Sequence, residues 1–239
     1  MLVQLTAIVV LLAGPSAAPV APGAAKRDGK DALIERVVAA YGGRDALARA
    51  KAFRQEGSVT SLLHPGTTGR IERAYARSGR LRVVTRFPGA ADEVRVIDGG
   101  RGWRNGEPSD GSRFAAMVLQ AARIDLPALL DAWRQRVSDR GEAELNGRKL
   151  RVLALEVGPG LTVEAHVDPA TGRILRSTSN GPGPGVPLQF VTDYSDFRSV
   201  DGVLFAFHEG NWANGSTTGE TTLESVKVTP ALPESTFRP

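Results

Sequence analysis

The chain has 239 residues, 41% of them apolar and 23% charged, with 30 basic against 26 acidic side chains and a formal charge of +4. That apolar share supplies a core for one domain without a disulfide or metal staple. The absence of cysteine excludes thiolate zinc sites, thiol catalysis and a disulfide framework.

In chain order, Leu2 to Ala18 carries no charge and ends among small residues and prolines. Leu5–Gly14 has the length of a signal-peptide apolar region and is too short to span a membrane. Residues 1–25 are therefore expected to be a cleaved export signal, and 26–239 a single mature domain. The basic residue that usually follows the initiator Met is missing. Asp31 is placed to cap a helix whose Leu33, Ile34, Val37, Val38 and Tyr41 share one face, with Gly42 and Gly43 as its stop. Arg44 to Ala50 reads as a second short helix.

From Phe53 the period changes to two. Leu81, Val83, Thr85 and Phe87 alternate with Arg80, Arg82 and Arg86, and Val94 and Val96 continue the pattern as inward residues. Asp98-Gly-Gly100, Asn105-Gly106, Asn146-Gly147, Asp201-Gly202 and Asn214-Gly215 read as hairpin turns. Asp168-Pro-Ala-Thr-Gly172 reads as a type I turn. The turns separate strands expected at 53–63, 68–78, 80–88, 92–98, 101–105, 137–145, 148–157, 161–168, 173–179, 188–199, 203–213 and 217–228. A helical insertion at 111–123 and 125–136 interrupts them, with Pro127 suited to a helix start. Gly181 to Pro187 is a loop whose prolines lack the N–H groups of a phosphate cradle.

Catalytic patterns are scarce. His64, His166 and His208 form no metal-binding spacing, and no nucleophile elbow, Walker motif or dinucleotide fingerprint appears. His166 with Asp168, and His208 with Glu209, are the acid–base pairs a hydrolase would need. No cofactor, metal or nucleic acid is expected. Arginine dominates the basic residues, and its single spacing among apolar positions fits GC-rich coding better than an anion-binding run. Arg70, Arg73, Arg77, Arg80, Arg82 and Arg86 would form a basic band on an outer face, either plainly solvated or touching anionic lipid head groups.

Several pieces taken in order resemble one family. They are Tyr41-Gly-Gly43, Asp98-Gly-Gly-Arg-Gly-Trp103, Val167-Asp-Pro-Ala-Thr-Gly172, Asp193-Tyr-Ser-Asp-Phe-Arg-Ser-Val-Asp-Gly-Val203 and Pro233-Glu-Ser-Thr-Phe-Arg-Pro239. Together they resemble periplasmic proteins related to the LolA/LolB-type lipoprotein carriers. The resemblance implies a mainly β (α+β) fold, a large curved antiparallel sheet forming a half-open barrel with helices as a lid on its concave face. It also implies a periplasmic lipid or lipoprotein carrier, with a non-catalytic envelope sensor of the same fold as the alternative and a hydrolase as the remote third. The apolar cavity would then be lined by Leu81, Val83, Phe87, Val94, Val96, Trp103, Phe114, Met117, Leu130 and Trp133. Its partner would be a lipid or lipid-modified protein.

Overall fold

The computed structural model describes residues 22–183 and 187–239, in which thirteen strands form one antiparallel sheet. The expected signal segment lies almost wholly outside the described residues, as does the middle of the Gly-Pro loop. Helix α1 (Pro22–Ala40) leads into α2 (Gly43–Arg49). The first arm of the sheet follows as β1 (Ala52–Thr60), β2 (Thr68–Ala76), β3 (Arg80–Arg86), β4 (Glu93–Asp98), β5 (Arg101–Arg104) and β6 (Glu107–Ser109). Helices α3 (Gly111–Ile124) and α4 (Leu126–Ala132) intervene. The second arm is β7 (Val137–Leu145), β8 (Arg148–Gly158), β9 (Leu161–Val167), β10 (Ile174–Gly181), β11 (Leu188–Val200), β12 (Val203–Ala213) and β13 (Ser216–Thr229).

The strand order is β6-β5-β4-β3-β2-β1-β13-β12-β11-β10-β9-β8-β7, so each hairpin pairs with its neighbour and β1 joins β13 at the centre. The edges β6 and β7 do not pair, which leaves the sheet open. Asn105, Asn146, Asp201 and Asn214 take φ of 53°, 51°, 51° and 46°, each followed by a positive-φ glycine. Left-handed backbone at both central positions matches the twist of a tight hairpin, which is why these dipeptides turn the chain. The strand missed from sequence is β6. Three residues around Pro108 carry too little pattern to be read, and an edge strand tolerates the proline.

Helix α1 begins upstream of the expected cap, so Asp31 lies inside it. Leu33, Ile34, Val37 and Val38 form its buried stripe, and the Tyr41 hydroxyl accepts a bond from Ile174 N at 3.3 Å. The α1–α2 corner docks on the β11–β12 turn. Gly42 has φ +108°, and a Cβ there would stand 1.9 Å from the Gly202 carbonyl oxygen. Gly42→Ala is therefore expected to lose at least about 1–3 kcal/mol in urea unfolding. Gly43→Ala, at φ +82° with open space around it, should lose less.

Most of the core lies on the concave face, where Leu153, Leu155, Val163, Ala165 and Val167 of the second arm face Phe53, Leu81, Val83 and Ile97 of the first. Phe53 packs against Tyr75 and Phe205, with ring centroids 5.1 and 5.3 Å away. A small second cluster covers the outer face. There Ala74 and Val96 pack against Phe237 of the C-terminal 3-10 turn (Glu234–Phe237), with Val94 and Trp103 beside them.

Candidate functional site

Helix α3 spans the opening of the half-barrel. It touches β4 and β5 on one arm and β8, β9 and β10 on the other. Ala115, Met117, Leu119, Ala121 and Ala122 are buried, with Phe114 and Val118 packed alongside. An amphipathic helix laid across a gap between sheet arms covers apolar surface that the sheet alone would expose. Gln120 and Arg123, one turn apart, point instead at a polar centre of the sheet. Arg95 Nη1 donates to Gln120 Oε1 at 2.9 Å, and Arg123 Nη1 donates to Thr192 Oγ1. At the α3–α4 joint, Asp125 accepts from Arg77 Nε at 2.6 Å and Nη2 at 2.9 Å. Arg77 also reaches the Leu47 carbonyl oxygen in α2. These three contacts tie the lid to the sheet.

Under the lid the concave face is apolar on the second arm and polar at its middle. Arg73 is 6% exposed and forms a bidentate pair with Glu209, both bonds 2.7 Å long. Burial by itself would raise the Glu209 carboxyl, but the charge and fork of Arg73, helped by Arg123, outweigh it and hold the group below its ordinary range. The Tyr194 hydroxyl lies 2.7 Å from Ser177 Oγ, and burial raises its proton affinity. A hollow of about 60 Å³ lies between α2, the α3–α4 joint and β10 to β12, with Leu47, Leu126, Phe205, Arg123 and Tyr194 among its walls. Ligand pockets ordinarily enclose about 300–1,000 Å³, so the inner face is nearly filled with the lid down. A larger groove of about 470 Å³ lies at the strand ends, between α2, the Arg77–Arg80 turn and Pro230–Leu232.

The ten residues expected to line a cavity divide. Leu81, Val83, Met117 and Leu130 are buried in the concave core, with Phe114 packed against them. Val94, Val96 and Trp103 belong to the outer cluster, a correction to their expected inward placement. Register explains it: Leu81 pairs with Ile97 and Val83 with Arg95, so Arg95 and Ile97 face inward and the valines outward. The outer face of β4 is covered too, so alternation in sequence did not mark which side was the core. Phe87 stacks on His64 at the rim, centroids 4.2 Å apart, and Trp133 is 37% exposed with Arg136 over its ring.

The expected outer-face band of arginines is corrected at Arg73 and Arg77, while Arg70, Arg80, Arg82 and Arg86 share the face of Ala74 and Ala76. Arg73 faces inward and Arg77 holds Asp125. Arg70 pairs with Glu224, Arg80 with Asp98, and Arg86 with Glu72 and Asp92. Arg82 donates to the Arg238 carbonyl. Arg95 and Arg123 were not singled out in the sequence, and Arg73 and Glu209 were read there in other roles, in the outer band and beside His208. The available signal was parity: in β2, Arg73 shares its phase with buried Ile71 and Tyr75.

Among the histidines, His166 Nε2 lies 3.2 Å from Thr178 Oγ1, while Asp168 is occupied in its own turn by Ala170 N and Thr171 Oγ1. His208 lies 3.2 Å from Ser195 Oγ and 3.5 Å from Glu220, whose side chain is 61% exposed. This row sits on the outer sheet face and lines neither hollow. Among the described residues no three His, Asp or Glu side chains gather to hold a metal, and no helix is long and apolar enough to cross a membrane.

No family model and no curated protein matches the sequence. Solved structures are similar in fold. A LolA superfamily protein from Nitrosomonas europaea superposes with a TM-score of 0.50 at 10% identity, over 82% of this chain and 97% of its own. A structure described as an outer membrane lipoprotein-sorting protein domain, from Vibrio parahaemolyticus, gives 0.49 at 13% identity, over 88% and 97%. The likeness to the LolA superfamily structure is one of fold alone.

Proposed function

We propose that the protein is an exported carrier of lipid or lipid-modified protein, in which α3 lifts to admit acyl chains onto the concave face. The observation that carries this reading is the lid itself. An amphipathic helix bridges both arms of an open sheet and is fastened by a few polar contacts at its C-terminal half. The shared fold supports the reading at the level of architecture.

The magnitudes allow an exchange of lid for ligand. Each buried methylene contributes about 0.8 kcal/mol, so ten give about 8 kcal/mol. A typical hydrogen bond contributes net about 1 kcal/mol, and a charged one about 1.5–3 kcal/mol. A chain of ordinary length can therefore offset the lid contacts, provided it also covers the apolar face that α3 leaves. Release would need an acceptor that binds the chain more tightly than this face does. Contact with a membrane through the exposed Arg70, Arg82 and Arg86 would exchange surface contacts that contribute little. Leu62 and Leu63, 62% and 84% exposed on the β1–β2 loop, present apolar surface at the rim.

The nearly filled interior favours a second reading, a sensor or interaction module whose core stays closed. One experiment separates them. Native mass spectrometry of gently purified protein, followed by incubation with a fluorescent fatty acid, is expected to show stoichiometric adducts and saturable uptake. A ligand-free chain that takes up no probe would sink the carrier reading and leave the closed module.

A further inference from the structure

Three guanidinium groups converge on the inner face, and their charge is only partly answered. Register places Arg73 and Arg95 on either side of Val83, in one row across β2, β3 and β4. Arg123 reaches the same centre from the last turn of α3. Glu209 is matched to Arg73 through both of its oxygens. Glu93 lies 3.0 Å from Arg95 but is shared with Arg104 at 2.6 Å. Arg123 bonds the neutral hydroxyl of Thr192. Burial lowers Arg95 below its ordinary range despite Glu93, and the neighbouring Arg73, Arg104 and Arg123 lower it further.

A second observation is independent of charge. The Nε–H groups of Arg73 and Arg123 are buried with no hydrogen-bond partner among the described residues, whereas Arg95 Nε has Glu93 Oε1 3.0 Å away. Buried donors left unpaired are costly, most of all on charged groups, and native structures rarely leave them so. Two such donors, on arginines that wall one hollow, suit an acceptor with several oxygens. Carboxylate and phosphate have that geometry, because a planar guanidinium fork meets two oxygens at once.

The space beside the arginines has two ends. A hollow of about 20 Å³ is bounded by Arg73, Gln120, Arg123, Thr192, Tyr194 and Glu209. It shares Arg123, Ile124, Tyr194 and Glu209 with the larger hollow, whose far walls are the apolar Leu47, Leu126 and Phe205. A mainly polar hollow thus shares a wall with a more apolar one beneath the lid. That is the arrangement an amphiphile needs.

We infer that the Arg73–Arg95–Arg123 centre seats the anionic head of the carried molecule, a phosphate or carboxylate, while its chain enters the adjoining apolar hollow as α3 lifts. This rests on the carrier reading above and adds to it the class of head group. Arg123 is the guanidinium without a carboxylate partner, since Glu209 occupies Arg73 and Glu93 lies against Arg95. Because Arg123 rides on the lid and Arg95 donates to Gln120 of the lid, an incoming anion competes for the contacts that hold α3 down. Head-group binding and lid opening are then one event.

The test uses isothermal titration calorimetry on the full chain with three probes: decyl phosphate, decanol and inorganic phosphate. Decyl phosphate is expected to bind at least about tenfold more tightly than decanol, a difference of about 1.4 kcal/mol. Arg123→Gln should abolish that preference, so that decyl phosphate and decanol bind alike. Arg113→Gln, the same charge change on an exposed residue of the same helix, should keep the preference. If Arg123→Gln melts early, Arg95→Lys serves instead, since it keeps the charge and loses the fork. Equal binding of decyl phosphate and decanol would overturn the head-group assignment and leave the carrier reading standing. Tight inorganic phosphate with no binding of decanol or decyl phosphate would make this a site for a free anion and overturn the amphiphile. No binding of any probe would overturn both.

Discussion

Arg73→Ala is expected to cost about 3–5 kcal/mol of folding stability, because it strands the Glu209 carboxylate in the core. The pair has none of the softness of a surface bridge. Arg73 is 6% exposed, and its two bonds to Glu209 are both 2.7 Å long. Replacing both partners, as Arg73→Met with Glu209→Leu, removes the stranded charge and should be more stable than the single variant. Urea unfolding at neutral pH measures both. A single variant within about 1 kcal/mol of the parent, the range of exposed pairs, would show that the pair is not desolvated as described.

The same pair sets a pH dependence. Glu209 is held below its ordinary value of 4.5 in the folded protein. Its contribution to stability is therefore fully present above that value and is lost as pH falls through the lowered one. In Arg73→Ala, burial becomes the dominant influence and raises the carboxyl instead. Its sign then reverses: the variant gains stability relative to the parent on acidification from neutral pH, as Glu209 takes up a proton. A parallel loss in both proteins between pH 7 and 5 would contradict this.

Asp125→Asn should loosen the lid selectively. Asp125 is buried at the α3–α4 joint and accepts both bonds from Arg77, whose side chain is 23% exposed. Removing the charge leaves Arg77 partly desolvated beside the Leu47 carbonyl. With that exposure discounting the full penalty of a broken buried pair, about 2 kcal/mol is expected. If the cost falls on lid opening, amide exchange in α3 and α4 should quicken by roughly thirtyfold, while β8 and β9 change little. Uptake of a fluorescent fatty acid should quicken in step. Exchange that quickens equally in every element would mean global destabilisation and no separable lid. Val83→Asp is a poor substitute for this test, since Val83 is 0% exposed in a filled core and a charge there would unfold the sheet.

Much of the chain was legible without coordinates. Asn-Gly and Asp-Gly pairs demand left-handed backbone and so fix where hairpins turn. Alternating residues between them then mark the strands. The stripe Leu33, Ile34, Val37 and Val38 marks the buried face of α1 in the same local way, although the cap assigned to Asp31 falls inside a helix that starts at Pro22. Local backbone preference and side-chain period act over a few residues, and these features need nothing more.

Which face each strand turns inward is a different matter. In β4 the valines and the Arg95–Ile97 pair alternate equally well. Only pairing with β3 and the packing of Phe237 outside decide that the arginine goes in. The arginines of β2 and β3 likewise look like one basic band in sequence. Folding separates them by bringing Glu209 from 136 residues away to Arg73 and Asp125 from 48 residues away to Arg77. Local pattern accounts for the hairpins, the buried helix stripes and the alternating strands between the turns. The tertiary structure decided that the lid closes over a nearly full interior with a charged centre, because partners for buried charge are supplied by distant segments whose proximity no local pattern encodes.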